Sequence, residues 1–220
     1  MKPRKTEHPI LFSTPMVQAI LEGRKTMTRR IVNMEYLNKE PYEWSVKHID
    51  EMLFTFSNKG CAQSVDIRNP YGQPGDKLWV RETWCKSARE WFFYKAGGSD
   101  IKLELLKEEG FKWKPSIHMP KAAARIWLMI TDVRVERLQD ISEEDAKAEG
   151  IEKITLSNEV YKCYQCDKGH LGINNLCEDG FFDSANKSFE SLWKKINGAE
   201  SWNSNPWVWV IEFKRIEPCQ

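Results

Sequence analysis

Four cations and two hydroxyls fall within eight residues, Gly23-Arg24-Lys25-Thr26-Met27-Thr28-Arg29-Arg30. Arg and Lys beside hydroxyls can hold a phosphate or the edge of a nucleobase through charge-assisted hydrogen bonds. A Thr hydroxyl becomes a nucleophile when a base stands beside it. A Lys serves as that base only where burial or a neighbouring cation lowers its pKa. Lys25 and Thr28 lie three apart, with Arg24, Arg29 and Arg30 as cationic neighbours. In an extended strand Thr28 and Arg30 project to one face and Arg29 to the other. The same run also suits a solvated basic turn in which Thr28 fills a strand position.

Two further groupings stand out. In Leu78-Trp79-Val80-Arg81-Glu82-Thr83-Trp84 an Arg has aromatic neighbours, a set that can stack on a base and hydrogen-bond it. The plainer alternative makes the Trp residues core and pairs Arg81 with Glu82 or a helix carboxylate. Cys163, Cys166, His170 and Cys177 follow the spacing C-x2-C-x3-H-x6-C. Three thiolates and one imidazole are a donor set that tetrahedral Zn²⁺ accepts, here as a structural ion. The alternative is an insert with incidental thiols. Cys61, Cys85 and Cys219 have no partner at useful spacing.

Several elements must position these residues. Thr14 can cap a helix, Pro15 suits its first turn, and Gly23 suits the position past its end. Val17, Ile20 and Leu21 give that helix one apolar face, and a short strand, Met27 to Val32, follows. Residues 33 to 70 lack a clear period and read as an insertion. Gly72-Gln73-Pro74-Gly75-Asp76 has the residue order of a type II turn, leading into a strand from Lys77 to Thr83. A strand at Trp91 to Tyr94, a short helix at Ile101 to Glu109 and a long strand at Arg125 to Val135 come next. Ser142 with Asp145 three residues on resembles a capping box in an Asp variant, and Gly150 stops that helix. A third helix runs from Ser184 to Ile196 and ends at Gly198. The last strand, Trp207 to Lys214, suits the closing of a barrel. The reading is α+β: one domain over 1–220, a small β-barrel with flanking helices and insertions at about 33–70, 86–120 and 153–183.

Composition narrows the function classes. The chain has 220 residues, 41% hydrophobic and 12% aromatic with 10 Trp, enough for a sizeable core. A net charge of +1 excludes coating of nucleic acid by bulk charge and favours a nucleotide-sized or locally bound ligand. Charge is nevertheless segregated: residues 1–30 are basic, whereas 140–152 carry Asp140, Glu143, Glu144, Asp145, Glu149 and Glu152 against Lys147. If folding joins these segments, a polar cleft with both signs results. No apolar region follows the basic MKPRKTEHP start, and the longest apolar runs, Ile126 to Ile130 and Trp207 to Ile211, are too short to span a bilayer. The expectation is a soluble cytoplasmic protein with no membrane partner, its six Cys reduced or metal-bound.

Gly23 to Arg30 resembles the GxKxxTxR-type signature of the ASCH domain, a β-barrel related to the PUA RNA-binding fold. Lys25 and Thr28 are spaced as in the bacterial N(4)-acetylcytidine amidohydrolases of that superfamily. LQDISEEDAKAEG (138–150) is similar to the family's acidic helix, whose Glu falls on Glu149, and VIEFK (210–214) to its last strand. ILFSTPMVQAILEGRKT, PYGQPGDKLWVRETW, SLWKKING and NPWVWVIEFKRI are most similar to the longer ASCH proteins often borne on phages and prophages. The resemblance covers most of the chain outside about 33–65, 86–120 and 153–183. It implies a PUA-like barrel, an RNA, nucleoside or nucleotide ligand, and no required cofactor. It also implies acyl-amide hydrolysis with Thr28 as nucleophile, Lys25 as base and Glu149 as proton shuttle. Gly23, Arg24, Arg29, Arg30, Arg81 and Glu82 are the candidate substrate-binding residues. A non-catalytic RNA- or DNA-binding module and a nuclease using the same cleft are the competing readings.

Overall fold

The computed structural model describes residues 6–50, 52–87, 91–98, 106, 110–155, 159–165 and 180–217. Its first elements are β1 (Glu7–Leu11), α1 (Thr14–Leu21), β2 (Met27–Ile31), α2 (Glu35–Lys39), β3 (Trp44–His48), β4 (Leu53–Asn58) and β5 (Ser64–Arg68). Then come β6 (Lys77–Arg81), β7 (Trp84–Lys86), β8 (Phe92–Tyr94) and β9 (Trp127–Arg137). The last are α3 (Glu143–Ala148), β10 (Lys153–Thr155), β11 (Glu159–Lys162), β12 (Phe181–Phe182), α4 (Ala185–Asn197), α5 (Ala199–Asn203) and β13 (Trp207–Ile216). The protein is α+β. Among the described residues no helix is long and apolar enough to cross a membrane. The helix expected at Ile101 to Glu109 lies almost wholly outside the described residues.

The chain forms two compact units. The first comprises Met1–Gly23, Pro70–Asp132 and Phe213–Gln220. There β1 runs parallel to β6, and β6 pairs antiparallel with the start of β9. Alternation sends Ile10, Leu78, Val80, Leu128 and Ile130 into the core, each at most 2% exposed. Helix α1 adds Val17, Ala19 and Ile20. Its N-cap is Ser13, in extended backbone, and Thr14 is already helical. This corrects the expected cap by one residue: Pro15, whose ring fixes a helical φ, falls one position later in the first turn. Gly23 follows the C-terminus at φ +76°, a conformation that favours glycine.

The turn before β6 forms as its residues require. Gly75 takes φ +93° and the Asp76 amide donates to the Gln73 carbonyl at 2.9 Å, closing a type II turn around Pro74. Asp76 then anchors the first strand. Its carboxylate accepts from the Thr6 amide and hydroxyl at 2.8 Å each and from the Gln73 amide at 3.1 Å. Burial alone would raise this carboxyl, but these hydrogen bonds and nearby His8 hold it below the ordinary aspartate value. A depressed carboxyl contributes stability that is complete above the unfolded pKa of about 4 and lost as pH falls through the lower folded value. Asp76→Asn is therefore expected to cost about 1–2 kcal/mol at neutral pH. Urea denaturation of both proteins should show the gap narrowing in acid; a gap independent of pH contradicts this account.

The second unit comprises Arg24–Asn69 and Val133–Glu212. Here β2 pairs antiparallel with β13, placing Thr28 opposite Ile211, Arg29 opposite Val210 and Arg30 opposite Trp209. One face of this ribbon carries Met27, Val208 and Val210 onto Leu138, Ile141, Ala146, Phe189 and Trp193. The other meets the supposed insertion at 33–70, which is an ordered three-stranded meander, β3-β4-β5. Phe54 packs edge-on to Trp209 and Phe56 to Trp207, with ring centroids 5.1 and 5.6 Å apart. The last strand was expected to close a barrel. The described strands instead form open sheets, and in the second unit β13 lies between β9 and β2.

Candidate functional site

The site is assembled in the second unit from the start of β2, the last residues of β9 and the end of α3. Ser142 caps α3, its hydroxyl accepting from the Asp145 amide at 3.1 Å, so the helix begins where the sequence predicts. The helix ends at Glu149, with Gly150 at φ +84° just beyond. Its end is bound to the approach to β2: Lys25 and Glu149 form an antiparallel bridge, and the Thr26 amide donates to the Ala148 carbonyl at 2.9 Å. Residues 124 positions apart in the chain are thereby fixed backbone to backbone.

The side chains complete the contact. Lys25 Nζ donates to Glu149 Oε2 at 2.7 Å and to the Glu149 carbonyl at 2.8 Å. The two side chains are 1% and 5% exposed, so this is a buried ion pair. Burial pushes the Lys25 ammonium below its ordinary pKa; Glu149 opposes that shift, and Arg30 and Arg29 add to it.

Arg29 organises the carboxylates around this pair. Its side chain is wholly buried, donating to Asp145 Oδ2 at 2.7 Å, to Glu149 Oε1 at 3.3 Å and to Glu136. Arg134 repeats the pattern, donating to Asp145 at 2.5 Å, to Glu136 at 3.2 Å and to Glu212. Three cations and four carboxylates form one network. Phe189 covers the Arg29 guanidinium at 5.8 Å. Glu136, Asp145, Arg134 and Glu212 were not candidates from the sequence. The signal available was their parity: Arg134 and Glu136 share a face of β9, and Asp145 sits in the acidic run.

The remaining candidates are distributed as follows. Thr28 is 2% exposed in β2. Alternation directs it and Arg30 to the ribbon face of Trp209, opposite the face of Met27 and Arg29. Arg24 reaches the Gly150 carbonyl at 2.7 Å. Arg81 and Glu82 belong to the first unit. They do not pair with each other: Glu82, 1% exposed, takes a two-pronged contact from Arg125 at 2.8 and 2.9 Å. Arg81 instead donates to the Ile117 carbonyl and lies over the Trp79 ring at 5.5 Å. Cys163 is buried, and its amide donates to the Gly180 carbonyl at 2.7 Å. Cys166, His170 and Cys177 lie outside the described residues. No family model, curated protein or solved structure matches this chain.

Proposed function

We propose that this chain binds a nucleoside, free or within RNA, beside the Lys25–Glu149 pair and hydrolyses an acyl amide on its base. The observation that carries the reading is the buried pair itself: a Lys held below its ordinary pKa, hydrogen-bonded to a carboxylate that Arg29 also grips. In this scheme Lys25 acts as the neutral amine and takes the proton of the Thr28 hydroxyl as the oxygen attacks the acyl carbonyl. The C–N bond breaks as that proton passes from the Lys25 ammonium through Glu149 to the departing amine. Water then gives a proton to Lys25 as it attacks the ester on Thr28, and Thr28 recovers that proton as the acid leaves. Arg29 and Arg30, which leave β2 on opposite faces, both act on the Lys25 charge. Arg29 serves as a positioning residue, and Arg24 and Arg30 as ligand-facing cations.

One observation favours a second reading, a binding module without turnover: Thr28 leaves β2 on the face opposite Arg29. Incubating the protein with a panel of N(4)-acylated cytidines separates the two. Release of cytidine supports hydrolysis; binding of the panel with no release under any condition leaves the binding module, and no binding overturns both.

We also propose that Cys163, Cys166, His170 and Cys177 hold a structural zinc ion. Pairing of β11 with β12, Lys162 opposite Phe181, brings together the two ends of the segment that carries them. Purified protein should contain about one equivalent of zinc, and a chelator should expose this segment to protease first. Metal-free protein with unchanged proteolysis contradicts the proposal.

A further inference from the structure

We propose that the outward face of the β1-β6-β9 ladder, in the first unit, is a base-stacking platform for single-stranded RNA. The inward face of this ladder is the core; the outward face carries two indole rings and a proline ring in a row. Register places Pro9 opposite Trp79, and Trp79 opposite Trp127, one ring on each of three neighbouring strands. Directly opposed residues stand about 4.5–5.5 Å apart at Cβ, so the two indoles are neighbours on one surface. Pro9 is exposed, and Trp79 and Trp127 are half-buried.

Cations surround the rings. The Arg81 guanidinium sits 5.5 Å from the Trp79 ring centre, and Lys121 Nζ 5.7 Å from that of Trp127. Lys77 lies two residues from Trp79 on the same face of β6. Arg81 retains a buried Nε without a partner among the described residues. The local balance is positive, though Glu7 opposes two of the three cations: it bonds Lys121 and stands opposite Lys77 in the register. Adjacent aromatic rings rimmed by Lys and Arg match unstacked bases joined by phosphates, and they do so without reading sequence. A rigid duplex hides its base faces and gains only from the charges. Exposed Leu11 shares this face, so a protein surface is the competing occupant, and the three cations favour the polyanion. The choice of RNA over DNA rests on the nucleoside reading proposed above; the stacking chemistry does not.

Fluorescence anisotropy with a short labelled oligouridylate tests the proposal, with the matching oligodeoxythymidylate and a duplex RNA as comparison arms. The single-stranded RNA should bind best. Trp79→Ala and Trp127→Ala should each weaken it by about tenfold, the range for loss of one stacked base. Trp79→Phe and Trp127→Phe should restore most of the affinity, which distinguishes lost stacking from lost folding. Lys121→Gln should reduce the salt dependence by about one phosphate contact. Duplex binding as tight as single-stranded binding overturns the platform, as do alanine variants that bind like wild type. Deoxy oligomer bound as tightly as RNA overturns the assignment to RNA. Absent oligonucleotide binding, with sedimentation that changes in Trp79→Ala, makes the face a contact between copies and ends the proposal. Hydrolysis of free acylated nucleosides by wild-type protein reads the Lys25–Glu149 site separately, so failure of one reading is distinct from failure of the other.

Discussion

Thr28→Ala and Lys25→Met should each lower turnover on an acylated cytidine by roughly a thousandfold or more, and the double variant should be little worse than either. Loss of a positioned base alone typically removes 10²- to 10⁴-fold, on the order set by its proton transfer. Removing the nucleophile removes the covalent path itself. Residues that act as one unit are strongly non-additive, so near-equality of single and double variants is the signature of a Thr–Lys pair. Independent contributions would instead multiply. Lys25→Met keeps the stem that fills the buried site and removes the amine, and Glu149 keeps its contact with Arg29. Thr28→Ser should retain measurable activity, because the hydroxyl stays and a methyl group goes. Turnover by the wild type should rise with pH as the Lys25 amine loses its proton, starting below the ordinary lysine range because burial lowers its pKa. A Thr28→Ala protein with unimpaired turnover would exclude the nucleophile role outright. That result would agree with the orientation of Thr28 toward Trp209 and pass the chemistry to another group.

Much of the site's support was legible in the chain. Local signals located α1, α3 and α4 to within one or two residues, because caps, Pro and Gly act over a few positions and need no distant partner. The same holds for the Pro74–Gly75 turn. The meander at 33–70 was legible in part: Phe54 and Phe56 alternate in LFTFSN, as do Val65 and Ile67 in SVDIR. It was missed because each strand is short and completes its burial on Trp207 and Trp209, about 150 residues away. Glu82 shows the limit of neighbour arguments. Adjacent strand residues point to opposite faces, so Arg81 could not satisfy it, and Arg125 on the approach to β9 did. The opposite charges of residues 1–30 and 140–152 anticipated the Lys25–Glu149 meeting. The choice of Arg29 as the organising cation depended on which side of β2 faces α3 and α4, a matter of tertiary packing.

That choice gives the largest expected stability effect. Arg29→Ala should destabilise the fold by roughly 3–5 kcal/mol, the range for breaking a buried ion pair by removing one partner. The cost arises from what remains. Glu136, Asp145 and Glu149 would face one another around an emptied site, with Lys25 and Arg134 left to neutralise Glu212 as well. Arg29→Lys should recover only part of the loss, since one ammonium cannot reproduce the guanidinium fork that reaches three carboxylates. Glu136→Gln in the Arg29→Ala background should restore stability, whereas in the wild type the same change should cost it. Thermal denaturation of the four proteins closes that cycle, and the coupling should far exceed the few tenths of a kcal/mol expected of independent sites. An additive result would mean that the Arg29 guanidinium serves packing against Phe189 alone. It would then not be the charge that draws α3 to β2 and holds Glu149 against Lys25.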